Sequence, residues 1–200
     1  MRRPIHALIL SLAFAAPAAL AVTAGEPAPD FALTDLAGKP VTLSNHRGST
    51  VVLEWVNPEC PYVRKHYDSA NMPNLQKEFG GRKVVWLTVN STNANHPEFK
   101  TPAQMASWMK QKGGAPAATL LDSDGKVGKL YGARTTPHMY IVDPNGKLVY
   151  VGAIDDKRST NPADVKTSKN YVVAALDELK AGKPVSMAST APYGCTIKYR

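Results

Sequence analysis

The amino-acid sequence predicts an α/β sandwich in which a central mixed β-sheet is flanked by helices. Three observations support this fold class: short β-branched segments alternate with amphipathic ones, glycine and proline separate them, and the pattern closes on a hairpin followed by a helix. The chain has 200 residues, a length that suits one domain with a full hydrophobic core. The sequence contains no internal repeat, so one folded domain is expected.

The first half of the chain predicts three strands and a helix. The segment FALTDLAGKPVTLSNHRG predicts two short strands joined by a turn at Gly38, and STVVLEWVN predicts a buried strand that ends just before Cys60. A helix is expected from about Pro61, with Ala70 on its inner face, until Pro73 interrupts it. Cys60 is therefore expected where a buried strand passes into a helix.

The second half continues the alternation of strands and helices. RKVVWLTVN and AATLLDSD predict buried strands, and GKVGKLYGA predicts a short helix. TPAQMASWMKQKGG predicts a helix with Pro102 at its first position and a capping box formed by Thr101 and Gln104. HMYIVDPNGKLVYVGAI predicts a hairpin around its PNG turn, and SKNYVVAALDELKAGKP predicts a last helix that ends near Gly182.

The N-terminus MRRPIHALILSLAFAAPAALAVTAGEP has the pattern of a secretory signal. Two arginines precede an apolar run over residues 7–20, and small residues follow in an A-x-A arrangement. The run is interrupted by Pro17 and is shorter than the ~20 residues that span a bilayer. We predict a signal peptide over residues 1–24, cleaved after Ala21 or Ala24. The mature protein is then expected in the periplasm or secreted, without a membrane anchor.

The remaining chain divides into a predicted domain over residues 25–183 and a tail over residues 184–200. The tail carries Cys195, one of two cysteines, and an exported compartment allows disulfides to persist. The formal charge is +8, and 22 Lys and Arg against 16 Asp and Glu leave +6 after loss of the two N-terminal arginines. The basic residues are scattered, and no dense stripe with interleaved aromatics is present. Nucleic acid is therefore not an expected partner.

The stretch GEPAPDFALTDLAGKPVTLSNHRGSTVVLEWVNPEC, with the order of the elements, resembles the redoxin branch of the thioredoxin-fold proteins. This branch includes peroxiredoxins and exported thiol:disulfide oxidoreductases. The resemblance extends from Gly25 to Gly182 and is greatest to peroxiredoxin-like members that keep a single active-site cysteine. It implies a thioredoxin-like sandwich and a thiol-disulfide oxidoreductase that needs no organic cofactor, because the cysteines carry the electrons. The implied partners are protein or small-molecule thiols and disulfides, peroxides, and a recycling reductant.

Cys60 is the predicted nucleophile because it matches the family's reactive cysteine at the strand-helix junction. Backbone N–H groups at a helix N-terminus favour a thiolate, and we expect the cation of Arg64 to add to this effect. Val63 occupies the second position of the usual Cys-x-x-Cys motif, so this motif cannot close a disulfide on itself. Cys195 is the internal candidate for a resolving cysteine. Pairing between chains or a free tail cysteine are the alternatives.

The resemblance also assigns roles around the nucleophile. Pro137 in GARTTPHMYIVD matches the cis-proline that the family places beside the reactive sulfur, and the backbone of Thr136 would pair with an incoming substrate strand. Pro61 and Tyr62 are the other predicted substrate contacts. Glu54 matches a buried acid beneath the active site, where burial raises the pKa of the carboxyl group and permits proton transfer. Alternation along the strand leaves exposure of Glu54 to solvent as the alternative.

Departures from the family pattern keep other functions open. A peroxiredoxin carries proline seven residues and threonine three residues before its reactive cysteine, and this chain has Leu53 and Asn57 there. Asn57 can donate a hydrogen bond, so weak thiol-dependent peroxidase activity is an alternative. A redox-silent binding module, in which Cys60 and Cys195 form a structural disulfide, is another. No metal site is predicted, because the copper-chaperone relatives carry a second cysteine where this chain has Arg64.

Overall fold

The structure is a computed structural model that describes residues 22–199. Its strands are β1 (Ala32–Asp35), β2 (Pro40–Thr42), β3 (Thr50–Trp55), β4 (Val84–Asn90), β5 (Ala118–Leu121), β6 (Thr135–Thr136), β7 (His138–Val142), β8 (Leu148–Gly152) and β9 (Cys195–Thr196). Its α-helices are α1 (Pro61–Asp68), α2 (Asn71–Gly80), α3 (Pro102–Gln111), α4 (Lys126–Leu130) and α5 (Tyr171–Lys180). Short 3-10 helices cover Leu43–His46 and Pro162–Thr167. The predicted signal peptide lies almost entirely outside the described residues.

Seven of these strands form one mixed sheet in the order β2-β1-β5-β4-β3-β7-β8. The central strand β3 runs parallel to β4 and antiparallel to β7, and β5 continues the parallel part. A strand covered on both faces is mostly apolar, which explains the apolar residues on either side of Glu54 in the run VVLEWV. The predicted fold class, a mixed sheet flanked by helices, is confirmed.

The sheet separates two hydrophobic clusters because successive side chains of a strand point to opposite faces. In β3, Val52 belongs to the cluster beneath α1, α2, α3 and α5, whereas Leu53 belongs to the cluster on the other face. Both side chains are fully buried. Within residues 22–199, no helix is long and apolar enough to cross a membrane.

The helix after Cys60 ends earlier than predicted. α1 stops at Asp68, and Ala70 is exposed and adopts a left-handed conformation with φ of 58°. α2 then begins at Asn71, and Pro73 lies in its first turn, where a backbone N–H has no intrahelical partner to lose. The prediction that Pro73 interrupts the helix is therefore wrong. The break lies at Ala70, and a second helix follows it.

Several local predictions are confirmed. The Thr101 hydroxyl accepts the Gln104 N–H at 3.3 Å, and the Gln104 side chain accepts the Thr101 N–H at 2.8 Å, so the capping box of α3 is complete. The predicted hairpin is formed by β7 and β8. The tail then returns along the sheet, where the Val151 N–H donates to the Ala188 carbonyl at 3.0 Å. Further along the tail, β9 pairs with β6.

Candidate active site

Cys60 lies at the junction that the sequence predicts, as the N-cap residue of α1. A tight turn leads to it from β3, since the Cys60 N–H donates to the Asn57 carbonyl at 3.1 Å. Its side chain is buried, with an exposed fraction of 1%, and makes no capping bond to the helix. Its thiol instead donates a hydrogen bond to the Thr136 carbonyl at 3.0 Å. The sulfur therefore contacts the segment that precedes Pro137.

The peptide bond between Thr136 and Pro137 is cis, as the family resemblance implies. The antiparallel pairing of β3 with β7 places Trp55 opposite His138, and this pairing brings Pro137 to the end of the central strand. The fold thereby joins two parts of the chain that are 76 residues apart. The sheet register, not the local sequence, creates this contact.

Cys195 is brought to the same place by the tail. In the pairing of β6 with β9, Cys195 lies directly opposite Thr136. The pKa of the Cys195 thiol is raised to about 12. Burial is the larger cause, and the neighbouring Cys60 side chain is the next. Both cysteines are free in the structure. Thr136 thus brings the Cys60 and Cys195 thiols to one site, while their disulfide pairing stays a prediction.

Glu54 is fully buried beneath the junction, so exposure to solvent is excluded for this side chain. Its carboxylate accepts hydrogen bonds from the Trp86 indole at 2.8 Å, the Tyr67 hydroxyl at 2.9 Å and the Gln76 amide at 3.1 Å. Burial raises the pKa of Glu54 to about 7, and these three hydrogen bonds oppose the shift. Tyr67 belongs to the helix that Cys60 caps. A role for Glu54 in proton transfer stays a prediction.

Three residues predicted to act beside Cys60 lie in the first turns of α1, and they differ in exposure and contacts. Arg64 of α1 forms an ion pair at 2.6 Å with Glu59, which lies in the turn before Cys60. Its predicted effect on the Cys60 thiolate is not tested by this contact. Pro61 is exposed at the first turn of α1. Tyr62 packs edge-on against Tyr193 of the tail, with ring centroids 5.7 Å apart.

The substrate contact expected at Thr136 differs in the structure. Thr136 is buried, and the strand edge that was expected to receive a substrate strand is paired with Cys195 of the same chain. The physical reason is that the tail folds back across the sheet and satisfies the backbone groups that an incoming strand would use. Roles of Thr136, Pro137, Pro61 and Tyr62 in substrate binding therefore stay predictions for a state in which the tail is displaced.

A buried polar cluster between α1 and the tail was not predicted from the sequence. The Lys65 ammonium contacts the Asp155 carboxylate at 3.2 Å and the Tyr193 hydroxyl at 3.4 Å, and the same hydroxyl donates to Asp155. The His66 ring nitrogen lies 3.3 Å from that hydroxyl, and burial lowers the pKa of His66 to about 4. These partners are distant in the sequence, so no local pattern indicated them.

Asn57, the residue behind the peroxidase alternative, and the question of a metal site can also be examined in the structure. The Asn57 side chain donates to Glu98 at 2.7 Å and accepts the Glu59 N–H at 2.9 Å, so its amide holds the loop before Cys60. Within residues 22–199, no group of three or more His, Cys, Asp or Glu side chains is arranged to hold a metal ion.

Comparison with known proteins supports the same class of site. The AhpC/TSA family matches residues 24–151. The thiol-disulfide oxidoreductase ResA of Geobacillus thermodenitrificans is 29% identical over 135 residues, which cover 64% of this chain and 68% of that protein.

Two solved structures extend this likeness to the fold. A hypothetical protein of Sinorhizobium meliloti 1021 superposes with a TM-score of 0.75 at 27% identity, covering 90% of this chain and 97% of that one. The exposed lipoprotein thioredoxin Etrx1 of Streptococcus pneumoniae TIGR4 gives a TM-score of 0.51 at 27% identity, covering 70% and 97%. The thioredoxin-like architecture predicted from the sequence is confirmed.

Proposed function

Because this chain belongs to the AhpC/TSA family, we propose that it is a thiol-disulfide oxidoreductase with Cys60 as nucleophile and Cys195 as resolving cysteine. One observation carries the proposal: the two cysteines are free thiols at one site, because Thr136 accepts a hydrogen bond from the Cys60 thiol and lies opposite Cys195 in the pairing of β6 with β9. The similarity to proteins named thiol-disulfide oxidoreductase supports the reaction class.

The reaction follows from two successive thiol-disulfide exchanges. The Cys60 thiolate attacks one sulfur of a substrate disulfide, which forms a mixed disulfide and releases the first substrate thiolate. The Cys195 thiolate then attacks the Cys60 sulfur, which forms the Cys60–Cys195 disulfide and releases the second substrate thiolate. The substrate gains two electrons and the protein loses two. An external thiol reductant restores both cysteines, and no organic cofactor takes part.

Glu54 is the proposed proton store for these exchanges. A carboxyl group with a pKa of about 7 can hold or release a proton near neutral pH, where a thiol must lose its proton before it attacks. The hydrogen bond from Tyr67 links this carboxyl group to the helix that begins after Cys60. This link supports an indirect route for the proton.

The proposal includes export of the protein. The signal pattern over residues 1–24 supports it, with a domain over 25–183 and a tail over 184–200 in the mature chain. An oxidising compartment is where a protein disulfide persists and where a dedicated exchange enzyme has substrates. Sequencing of the N-terminus of exported material tests this point. We expect it to begin at Val22 or Gly25, and an intact Met1 would contradict export through a cleaved signal.

The stoichiometry of thiol release tests the cysteine roles. Reduced wild-type protein mixed with oxidised glutathione should release two glutathione thiols and gain an internal disulfide. Cys195→Ser should release one thiol and keep glutathione bound to Cys60, as seen by mass spectrometry. Cys60→Ser should do neither. Release of glutathione by Cys60→Ser at the wild-type rate would overturn the proposal.

The reduction potential separates this function from a redox-silent binding module. A structural disulfide typically lies below about −300 mV, whereas a catalytic one is more oxidising. Equilibration of the protein with glutathione buffers gives the potential directly. A value well below that limit would favour a binding module with a structural staple. A separate assay tests the peroxidase alternative: hydrogen peroxide should oxidise Cys60 to a sulfenic acid, and attack by Cys195 should then form the disulfide and release water, which is measured as the loss of two free protein thiols.

A further inference from the structure

The edge of β6 beside Cys60 is occupied by the C-terminal tail. β6 pairs with β9 so that Thr136 lies opposite Cys195, and the Thr136 carbonyl also accepts the Cys60 thiol at 3.0 Å. Extended peptides bind many proteins by adding a strand to a free edge of this kind. Here the edge next to the proposed nucleophile is already paired. A peptide substrate would have to displace the tail before it could reach Cys60.

Gly194 allows the tail to lie this close to the active site. Its φ is 141°, and a Cβ atom at this position would overlap the carbonyl group of Thr136. A second close approach occurs where the tail passes the sheet, since a Cβ atom at Gly152 would overlap Thr190. The tail is therefore fitted to the domain at two glycine positions, one in each partner.

Tyr193 anchors the tail on the N-terminal side of Cys195. Its hydroxyl donates to the Asp155 carboxylate and accepts from the Lys65 ammonium at 3.4 Å. Its ring packs against Tyr62 of α1. Hydrogen bonds to charged partners are stronger than those between neutral groups, above all where water is excluded. This anchor connects the tail to the helix that Cys60 caps.

A second anchor holds the tail on the C-terminal side of Cys195. The Ile197 side chain is buried, and its N–H donates to the Arg134 carbonyl at 3.0 Å. The Tyr199 hydroxyl donates to the Ala133 carbonyl at 2.8 Å. Because the tail is held on both sides of Cys195, the segment that covers Cys60 is fixed to the domain at both of its ends.

We infer that the docked tail selects the substrates of Cys60: it excludes extended protein segments and admits low-molecular-weight disulfides, while low-molecular-weight thiols reduce the Cys60–Cys195 disulfide by attack at Cys195. Cys60 has an exposed fraction of 1%, whereas Cys195 is half-buried at the edge of the tail strand. An external thiol that reduces the oxidised pair therefore meets the Cys195 sulfur first. This inference rests on the proposed function and narrows its substrate class.

Small thiols reduce the Cys60–Cys195 disulfide in two exchanges that begin at Cys195. A small external thiolate attacks the Cys195 sulfur, a bond forms between these two sulfurs, and Cys60 leaves as a thiolate. A second external thiolate attacks the external sulfur of this mixed disulfide and releases Cys195 as a thiolate. Two small thiols are thereby oxidised to one disulfide, and the protein gains two electrons.

Two full-length variants test whether the tail shields Cys60. Cys195→Ser keeps the tail docked without its thiol, and Cys195→Ser combined with Gly194→Val forces the tail away from Thr136. For each, the rate of Cys60 modification is measured with iodoacetamide and with a ten-residue cysteine peptide activated as its 2-thiopyridyl disulfide. We expect the peptide-to-iodoacetamide rate ratio to rise at least about tenfold in the Gly194→Val variant. An unchanged ratio would overturn the inference.

A matched control and a second variant accompany this comparison. Gly38→Val in the Cys195→Ser background places the same side chain at another glycine of positive φ, in open space far along the chain, and should leave the ratio unchanged. Where circular dichroism shows that Gly194→Val disrupts the fold, Tyr199→Ala in the same background removes the C-terminal anchor instead. The same ratio then decides the question.

The modification ratio does not depend on turnover, so the two proposals fail separately. A tenfold rise in the ratio, in a protein that exchanges no disulfide with glutathione, would refute the proposed function and retain the shielding of Cys60. Efficient exchange with glutathione and an unchanged ratio would retain the function and refute selection by the tail. Equal wild-type rates with glutathione disulfide and with a peptide disulfide would also refute this selection.

Discussion

Cys60 and Cys195 meet at one site but are positioned by different kinds of structure. Cys60 is fixed by backbone elements, since a central strand ends and a helix begins around it. Cys195 lies on a two-residue strand, and side-chain anchors such as Tyr193 hold it there. The nucleophile is therefore placed by the fold itself, whereas its partner is placed in part by contacts that single substitutions can remove.

The largest effect is expected at the buried ion pair that supports the tail. Lys65→Met leaves the Asp155 carboxylate buried without its cation, and removal of one partner of such a pair costs about 3–5 kcal/mol. Urea unfolding at neutral pH measures this loss. The double variant Lys65→Met/Asp155→Asn removes both charges and should recover much of it.

Lys126→Met is the control for this ion pair, because Lys126 pairs with Asp124 on the surface and its removal should not change stability measurably. Equal destabilisation by Lys65→Met and Lys126→Met would contradict the idea that a buried charge cluster anchors the tail. The same result would argue against the view that side-chain contacts hold Cys195 in place.

The next effect concerns the buried acid on the Cys60 side. The folded-state pKa of Glu54, about 7, exceeds its ordinary value of 4.5, so its contribution to stability is complete below pH 4.5 and is lost as pH rises through 7. Glu54→Gln lacks this ionisation. The unfolding free energy of the wild type relative to the variant should therefore fall by about 3 kcal/mol between about pH 4 and pH 8. A difference that is independent of pH would show that Glu54 does not take up a proton on folding.

A smaller effect is expected from the tail anchor alone. Tyr193→Phe keeps the ring against Tyr62 but removes the hydroxyl that joins Asp155 and Lys65. The equilibrium constant for forming the Cys60–Cys195 disulfide from oxidised glutathione should fall about tenfold, or about 1.4 kcal/mol.

Tyr131→Phe provides the control for this tail anchor. It removes a hydroxyl that donates to the Pro29 carbonyl at 2.6 Å and not to a tail residue, and it should leave the disulfide constant unchanged. Equal constants for Tyr193→Phe and the wild type would show that the tail hydroxyl does not position Cys195.

The smallest effect belongs to a purely local feature. Thr101→Ala removes the capping box of α3 and should lower the unfolding free energy by about 1 kcal/mol. It should not alter the disulfide constant, because α3 contributes to neither cysteine. A change in that constant would show that the position of Cys195 depends on the stability of the whole domain. The two cysteines would then not differ in how they are positioned.

How far the sequence predicts this molecule depends on the range of the interactions involved. The junction at Cys60 and the cap at Thr101 follow from residues within a few positions, and both are confirmed. The break at Ala70 was missed because a left-handed alanine has no local signature, whereas Pro73 is tolerated in a first helical turn. The Lys65 cluster was missed because its partner in the tail is 128 residues away, and only the folded chain brings them together.

Peptide mapping of the oxidised monomer tests the central claim, that Cys60 and Cys195 form a redox pair within one chain. Protein oxidised by one equivalent of oxidised glutathione is purified as a monomer, digested without reductant and analysed by mass spectrometry. We expect one linked pair of peptides that contains Cys60 and Cys195, and loss of the link on reduction. Recovery of the two cysteines in separate, unlinked peptides of the monomer would contradict it.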